Sequence, residues 1–194
     1  MPDPALSQTC AFALLAAGKA RRFGGGKLDA MCAGKPLGLW AAQAAMKAGF
    51  GRYVLVTGQH RPRFAHDLEG WEMAAVGTQP GALHHSIHRA LSAADDCPRL
   101  VIALADMPLI GSAHLARLRD AAGITFTGYE GEQYGVPAAF PAACYERLAS
   151  TNTGAARAFA RDQVTILPPA SKDQLLDIDR PADLTSAERI LTHD

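Results

Sequence analysis

The residues best suited to chemistry fall in three short stretches. The first reads LAAGKARRFGGGK, from Leu15 to Lys27. It sets Lys19, Arg21, Arg22 and Lys27 among Gly18, Gly24, Gly25 and Gly26. Glycines let backbone N–H groups turn inward around an anion, and a cluster of guanidinium and ammonium groups matches a polyphosphate. A solvated basic turn has the same composition, so composition alone leaves both readings open. Spacing excludes two nucleotide loops. Lys27 is followed by Leu28 rather than Ser or Thr, and no G-x-G-x-x-G opens a helix here.

The second stretch is Asp106 in ADMPL, after an apolar run. A carboxylate at a strand end, before a proline-stiffened turn, suits a hard divalent cation; a turn-capping Asp is the other reading. The third is LLDIDRPADL, from Leu175 to Leu184. Alternation on a short strand at Leu175–Ile178 sets Asp177 and Asp179 on one side, with Asp179 at the strand's end. Asp183 reads as a first-turn helix charge. His84 and His85 are adjacent on a predicted helix, where they cannot face the same way, so a bidentate metal site is not expected. One could contact an acceptor phosphate, or both are exposed helix residues. The four cysteines (Cys10, Cys32, Cys97, Cys144) have no zinc or CxxC spacing and read as reduced thiols filling the core.

Strand-length apolar runs alternate with helix-period segments. Strands are expected at Cys10–Ala16, Tyr53–Thr57, Met73–Val76, Leu100–Leu104, Ile124–Thr127, Val136–Phe140 and Val164–Leu167. Helices are expected at Pro36–Gly49, Arg61–Leu68, Ala82–Ala94, Ser112–Ala122 (capped by Ser112), Ala142–Ala149, Ala155–Ala160 and Pro181–Leu191. This alternation implies an α/β fold, a mostly parallel sheet with helices on both faces, in a single domain over 1–194. Ligands of such sheets sit at the carboxyl ends of the strands. The glycine-rich loop, Thr57-Gly58, Asp106 and Asp177/Asp179 all follow strands and are expected along one edge.

The bulk numbers fit this picture. The chain has 194 residues, 48% hydrophobic and 20% charged, with zero formal net charge. Nothing global attracts nucleic acid or an anionic membrane, so an anion site must be local. Residues 1–9 carry no signal-peptide pattern and Ala11–Ala17 is too short to span a bilayer, so the expected location is the cytoplasm.

The Leu15–Lys27 stretch resembles L-A-[AG]-G-x-S-x-R-[FM]-G-x-x-K, the signature of the nucleotidyltransferase family that includes molybdenum cofactor cytidylyltransferases and guanylyltransferases. Leu15, Ala16, Ala17, Gly18, Arg22, Phe23, Gly24 and Lys27 match; Ala20 stands where the family has Ser. Asp106 resembles the family's metal-binding aspartate, and Asp177 to Leu184 resembles its D-[IV]-D-T-P-E-D-L segment, with Arg180 for Thr. The resemblance implies a Rossmann-like three-layer nucleotidyltransferase fold. It implies Arg22, Lys27 and Asp106 as catalytic residues. The nucleotide would be bound by Leu15, Ala16, Ala17, Gly18, Lys19, Arg22, Lys27, Thr57, Gly58 and Ser86. Mg²⁺, with Mn²⁺ as the alternative ion, would be held by Asp106 and Asp179, Asp177 being the less favoured ligand.

Ala17 points to CTP over GTP, because the family carries L-A-A-G in cytidylyltransferases and L-A-G-G in guanylyltransferases. The segment QPGALHHSI from Gln79 keeps the family's Gly81, Leu83, Ser86 and Ile87, and His84-His85 depart from it. Val136 replaces the histidine of a G-H-P element near the acceptor, and Thr153–Arg157 resembles a G-A-R element of the same pocket. The expected reaction is CMP transfer from CTP to molybdopterin carrying molybdenum, with pyrophosphate released. The alternatives are guanylyl transfer to the same cofactor, a sugar- or polyol-phosphate acceptor, and a non-catalytic cofactor-binding accessory protein. The expected partners are these small molecules and, transiently, a molybdoenzyme or its chaperone.

Overall fold

The computed structural model describes residues 10–18, 20–77, 83–151 and 155–193. Its main sheet has seven strands in the order β5-β4-β1-β6-β8-β7-β9. In chain order these are β1 (Cys10–Ala16), β4 (Arg52–Thr57), β5 (Glu72–Ala75), β6 (Arg99–Leu104), β7 (Thr125–Gly128), β8 (Tyr134–Pro141) and β9 (Thr165–Leu167). Only β8 runs against its neighbours; the rest pair in parallel. A two-stranded ribbon, β2 (Met31–Cys32) with β3 (Lys35–Pro36), stands apart and was not expected from the sequence.

The apolar runs become central strands because both faces are covered. Ala11, Ala13 and Leu15 of β1 pack in a core with Ile87, Ala90 and Leu91 of α2 (Leu83–Ala93) and Leu148 of α4 (Tyr145–Ala149). Cys10, Phe12, Leu14 and Ala16 face α1 (Leu37–Ala48) and α3 (Ser112–Asp120) through Ala41, Ala45, Leu115 and Leu118. Side chains alternate across a strand, so a run with no polar position must be buried twice over. Phe12 is fully buried, and truncating such a ring costs about 3–5 kcal/mol. Gly49 ends α1 at φ 75°, its N–H returning to Ala45 and Met46 carbonyls, a turn that glycine adopts without strain.

The chain crosses from β5 at one edge back past β1 to β6, so connections diverge between β1 and β6. That is the switch point where ligands enter such sheets. Register levels the strand ends there: Ala16 lies beside Thr57, and Leu15 beside Leu104.

Four expectations need correction. The Leu175–Ile178 segment is not a strand: a 3₁₀ turn spans Lys172–Leu175, and the chain then runs irregularly to Asp179. The reason is the fate of one donor, since the Ile178 N–H goes to the Asp106 carbonyl at 3.0 Å rather than to a ladder. Ser112 is the first helical residue of α3; Gly111 holds the N-cap position, with no side-chain cap bond. Arg61–Leu68 and Ala155–Ala160 form only 3₁₀ turns, at Arg63–Asp67 and Ala155–Ala158. Helix α5 (Pro181–Leu191) has the expected bounds.

Candidate active site

The glycine-rich loop leaves β1 beside the end of β6, fixed by the Ala105 N–H donating to the Leu15 carbonyl at 3.0 Å. The Ala20 carbonyl accepts from Phe23 and Gly25 N–H groups and folds the loop back. Gly24, Gly25 and Gly26 have φ of +90°, +97° and +60°. Three consecutive left-handed residues explain the triple glycine, because a Cβ is strained in that region. Ala20, at φ 44°, takes such a conformation with its methyl group. The loop closes on a 3₁₀ turn, Lys27–Asp29, whose Asp29 carboxylate accepts from Arg63 and Phe64 N–H groups.

This anchoring delivers Lys27 into the sheet edge. Its side chain is only 8% exposed, and Nζ donates to Asp106 Oδ2 at 2.6 Å. Asp106 Oδ1 is buried without a hydrogen-bond partner. Lys27 Nζ also lies 3.9 Å from Asp179 Oδ1, and Arg22 Nη1 lies 2.6 Å from Asp179 Oδ2. The structure therefore brings Arg22, Lys27, Asp106 and Asp179 together, from sequence positions far apart.

Asp177 joins them. The residue keeps solvent exposure while its carboxyl senses its charged neighbours. Burial of that carboxyl, then the negative charge of Asp106, push it up to about 7; Lys27 acts in the opposite direction. Two carboxylates this close repel unless a proton or cation lies between them. Asp183 accepts from the Asp179 and Arg180 N–H groups and starts α5, the helix-terminal role expected of it. Among the described residues no three of His, Cys, Asp and Glu converge to hold a metal by themselves. One or two carboxylates, with substrate phosphates and waters completing the shell, is the usual arrangement for Mg²⁺. The unpartnered Asp106 oxygen and the apposed Asp177 carboxyl fit such an ion.

Thr57 is buried at the end of β4, and a Cβ on Gly58 would lie 3.8 Å from the Ala17 carbonyl oxygen. Leu15, Ala16 and Ala17 are buried, Gly18 borders the loop, and Ser86 is buried on α2. Lys19, residues 79–82 and residues 153–154 lie outside the described residues. The His84 and His85 rings do not diverge as expected: their centroids are 4.0 Å apart. The cysteines are all free and buried. Burial raises every one, Cys10 to about 12 and Cys32 and Cys144 to about 11, which suits core packing and opposes a nucleophile's role.

The sequence reading missed Tyr129. Its hydroxyl donates to the Val136 carbonyl, and burial, followed by the charges of Asp177 and Asp106, raises it to about 12. It separates the carboxylates from a cavity of about 420 Å³ lined by Leu83, Tyr129, Val136, Ala155 and Arg157. A lone tyrosine in the polar run YEGEQY gives no periodic signal that would single it out.

A phosphate-type loop, buried lysine and aspartate cluster at the switch point of a parallel sheet define a nucleotide-handling α/β enzyme. Residues 12–166 match the family described as the MobA-like NTP transferase domain, and the chain belongs to that family: it is a nucleotidyltransferase. A curated relative, the bifunctional protein GlmU of Geobacter metallireducens, is 34% identical over 117 residues, 58% of this chain and 25% of that protein. The chain thus aligns with about a quarter of that relative's length.

Solved structures share the fold. A nucleotidyl transferase from Methanothermobacter thermautotroptrophicus (Mth528) superposes with a TM-score of 0.82 at 19% identity, covering 96% of this chain and 99% of that one. Rv0371c of Mycobacterium tuberculosis in complex with manganese gives 0.70 at 22%, covering 93% and 98%. Molybdopterin-guanine dinucleotide biosynthesis protein A from Archaeoglobus fulgidus gives 0.69 at 19%, covering 95% and 100%. No helix among the described residues is long and apolar enough to cross a membrane.

Proposed function

We propose that this nucleotidyltransferase moves CMP from CTP to the terminal phosphate of molybdopterin carrying molybdenum, releasing pyrophosphate, with Mg²⁺ or Mn²⁺ bound. The observation that carries the reading is the convergence of Arg22 and Lys27 with Asp106 at the mouth of the glycine-rich loop. In this reading the loop N–H groups, Arg22 and Lys27 neutralise the triphosphate. Asp106 and Asp179 hold the ion, with Asp177 beside them as the less favoured ligand. Asp179 follows an irregular segment rather than a strand end and lies against Arg22 and Lys27, while Asp177 feels the charge of Asp106.

The ion, when bound, offsets charge on the phosphates. The acceptor's terminal phosphate oxygen bonds to the α-phosphorus as the α–β bridging bond breaks, and the electron pair leaves with pyrophosphate. A phosphate monoester is already anionic near neutral pH, so the protein need not supply a general base. Its contribution is in-line positioning and charge compensation. Protonated Tyr129 holds the Val136 carbonyl and so shapes the boundary with the neighbouring cavity, whose apolar wall and Arg157 cation suit an acceptor with a flat organic body and an anionic end. Small residues Ala17 and Gly58 flank the base side, and Ala17 favours cytosine by the family pattern. Four reduced thiols suit a cytoplasmic protein that hands its product to a molybdoenzyme.

The test is a thermal-shift panel of CTP, GTP, UTP, ATP and dTTP with Mg²⁺, followed by pyrophosphate release with molybdenum-loaded molybdopterin. A ligand at 100-fold its Kd adds about 2.7 kcal/mol. CTP is expected to give the largest shift. A larger GTP shift assigns guanylyl transfer, in line with the Archaeoglobus fulgidus neighbour, a molybdopterin-guanine dinucleotide biosynthesis protein. Binding of nucleotide without pyrophosphate release from any nucleotide of the panel in the presence of the acceptor overturns the catalytic reading.

A further inference from the structure

A cavity of about 530 Å³ lies away from the site above. It lies between the outer face of α1, the Pro108–Ile110 turn, the Ser171–Gln174 turn and the C-terminal end of α5. Lys35 and Lys47 line it, and among the described residues neither forms an ion pair. Lys35 is held in place. Its ammonium lies 3.4 Å from the centroid of the Trp40 ring and donates to Gln43 Oε1. The indole is fixed in turn, Nε1 donating to the Cys32 carbonyl at 2.9 Å. Partial burial, then the like charge of Lys47, lower the Lys35 ammonium from its ordinary value. Two like charges facing one groove, one of them partly desolvated, call for an anion between them.

We propose that this groove is a second ligand site, separate from the nucleotide loop, that takes a small organic phosphate monoester with its phosphate between Lys35 and Lys47. A monoester is close to dianionic near neutral pH, which matches two ammonium groups. Ser112 and Gln174 add hydroxyl and amide donors, while Trp40, Ile190 and Leu191 offer apolar surface to a carbon skeleton. Asp173 on the facing wall disfavours a second anionic group, so a nucleoside triphosphate is a poor fit. The Pro108–Ile110 wall begins two residues after Asp106, and Gln174 lies three before Asp177, so the occupant touches both segments that carry the active-site carboxylates.

The chain has two tryptophans, and Trp71 is buried in the core. Trp71→Phe therefore leaves Trp40 as the sole emitter. Titration with glycerol 3-phosphate is expected to change its fluorescence saturably at millimolar concentration, with inorganic phosphate weaker and glycerol silent. Lys35→Gln with Lys47→Gln is expected to weaken the response about tenfold or more. If Trp71→Phe does not fold, the indole N–H resonance of Trp40 in the unmodified chain, assigned through Trp40→Phe, reads the same event. No saturable response, or an unchanged one in the double lysine variant, overturns the proposal. So does a response abolished by Arg22→Gln, which would place the ester in the glycine-rich loop; retention in that variant supports the second site.

Discussion

Lys27 and Arg119 are both nearly buried cations paired with an aspartate, yet their surroundings differ. Arg119 is 5% exposed and saturated: Nη1 donates to the Ala48 and Gly49 carbonyls at the end of α1, and Nε and Nη2 grip Asp120. Arg99 also serves the end of α3, donating through Nη1 and Nη2 to the Gly123 and Leu118 carbonyls while its Nε stays buried without a partner. These guanidiniums serve the orphan carbonyls of helix C-termini, where a cation also meets the negative end of the dipole. Lys27 instead meets Asp106, whose second oxygen has no donor, beside Asp177, whose carboxyl is raised to about 7 by burial and then by the charge of Asp106. Arg119 and Arg99 hold helix ends in place. The unsaturated cluster stores unmet electrostatic demand, which a phosphate and a divalent ion together would satisfy.

Asp106→Asn should break the contrast most sharply. It removes a charge from the unsaturated cluster and relieves repulsion on Asp177, so turnover measured by pyrophosphate release is expected to fall at least about 100-fold, about 3 kcal/mol of transition-state stabilisation. The urea midpoint should stay close to that of the unmodified chain. Turnover unchanged by this substitution would remove Asp106 from the active site. Arg119→Ala should do the reverse. It strands two helix-end carbonyls and the Asp120 charge, so chemical denaturation is expected to show a loss of about 3 kcal/mol, while the folded fraction keeps its affinity for nucleotide.

A third test concerns His114 on α3, which is 2% exposed and bonds Thr127 Oγ1 at 2.8 Å. Burial, and after it Arg117, hold it at about 4 against an ordinary value of 6.5. The unfolded chain therefore takes up a proton near 6.5 that the folded chain refuses until about 4, so stability falls as pH drops through that window. The loss should reach about 3 kcal/mol at the acid end. Urea midpoints of the unmodified chain and His114→Gln between pH 7 and pH 4.5 check it, with the variant expected to show the shallower slope. The smallest effect on folding is expected from Arg22→Gln. Arg22 is 71% exposed, and such an ion pair contributes at most about 1 kcal/mol to stability. Its consequence should appear as nucleotide affinity weakened about tenfold with the melting temperature unmoved.

The sequence by itself determined the layered fold and most of the site. Runs such as CAFALLA and LVIAL admit no solvated face, so they had to become doubly covered strands, and a ligand edge follows from parallel strands. The glycine-rich loop was legible because three successive left-handed residues leave a compositional mark, and Arg22 and Lys27 lie within it; Asp106 was singled out separately, by its place after a strand. Tertiary structure alone decided how the carboxylates are shared. How Asp177 and Asp179 sit beside Asp106 depends on the Ile178 N–H pairing with the Asp106 carbonyl, a contact between residues far apart in sequence that no local period encodes. Tyr129 reached the site, and Lys35 and Lys47 came to share a groove, for the same reason. A local pattern records the face a residue shows to its own element, while the electrostatic partner it meets is set by the packing of elements remote in sequence.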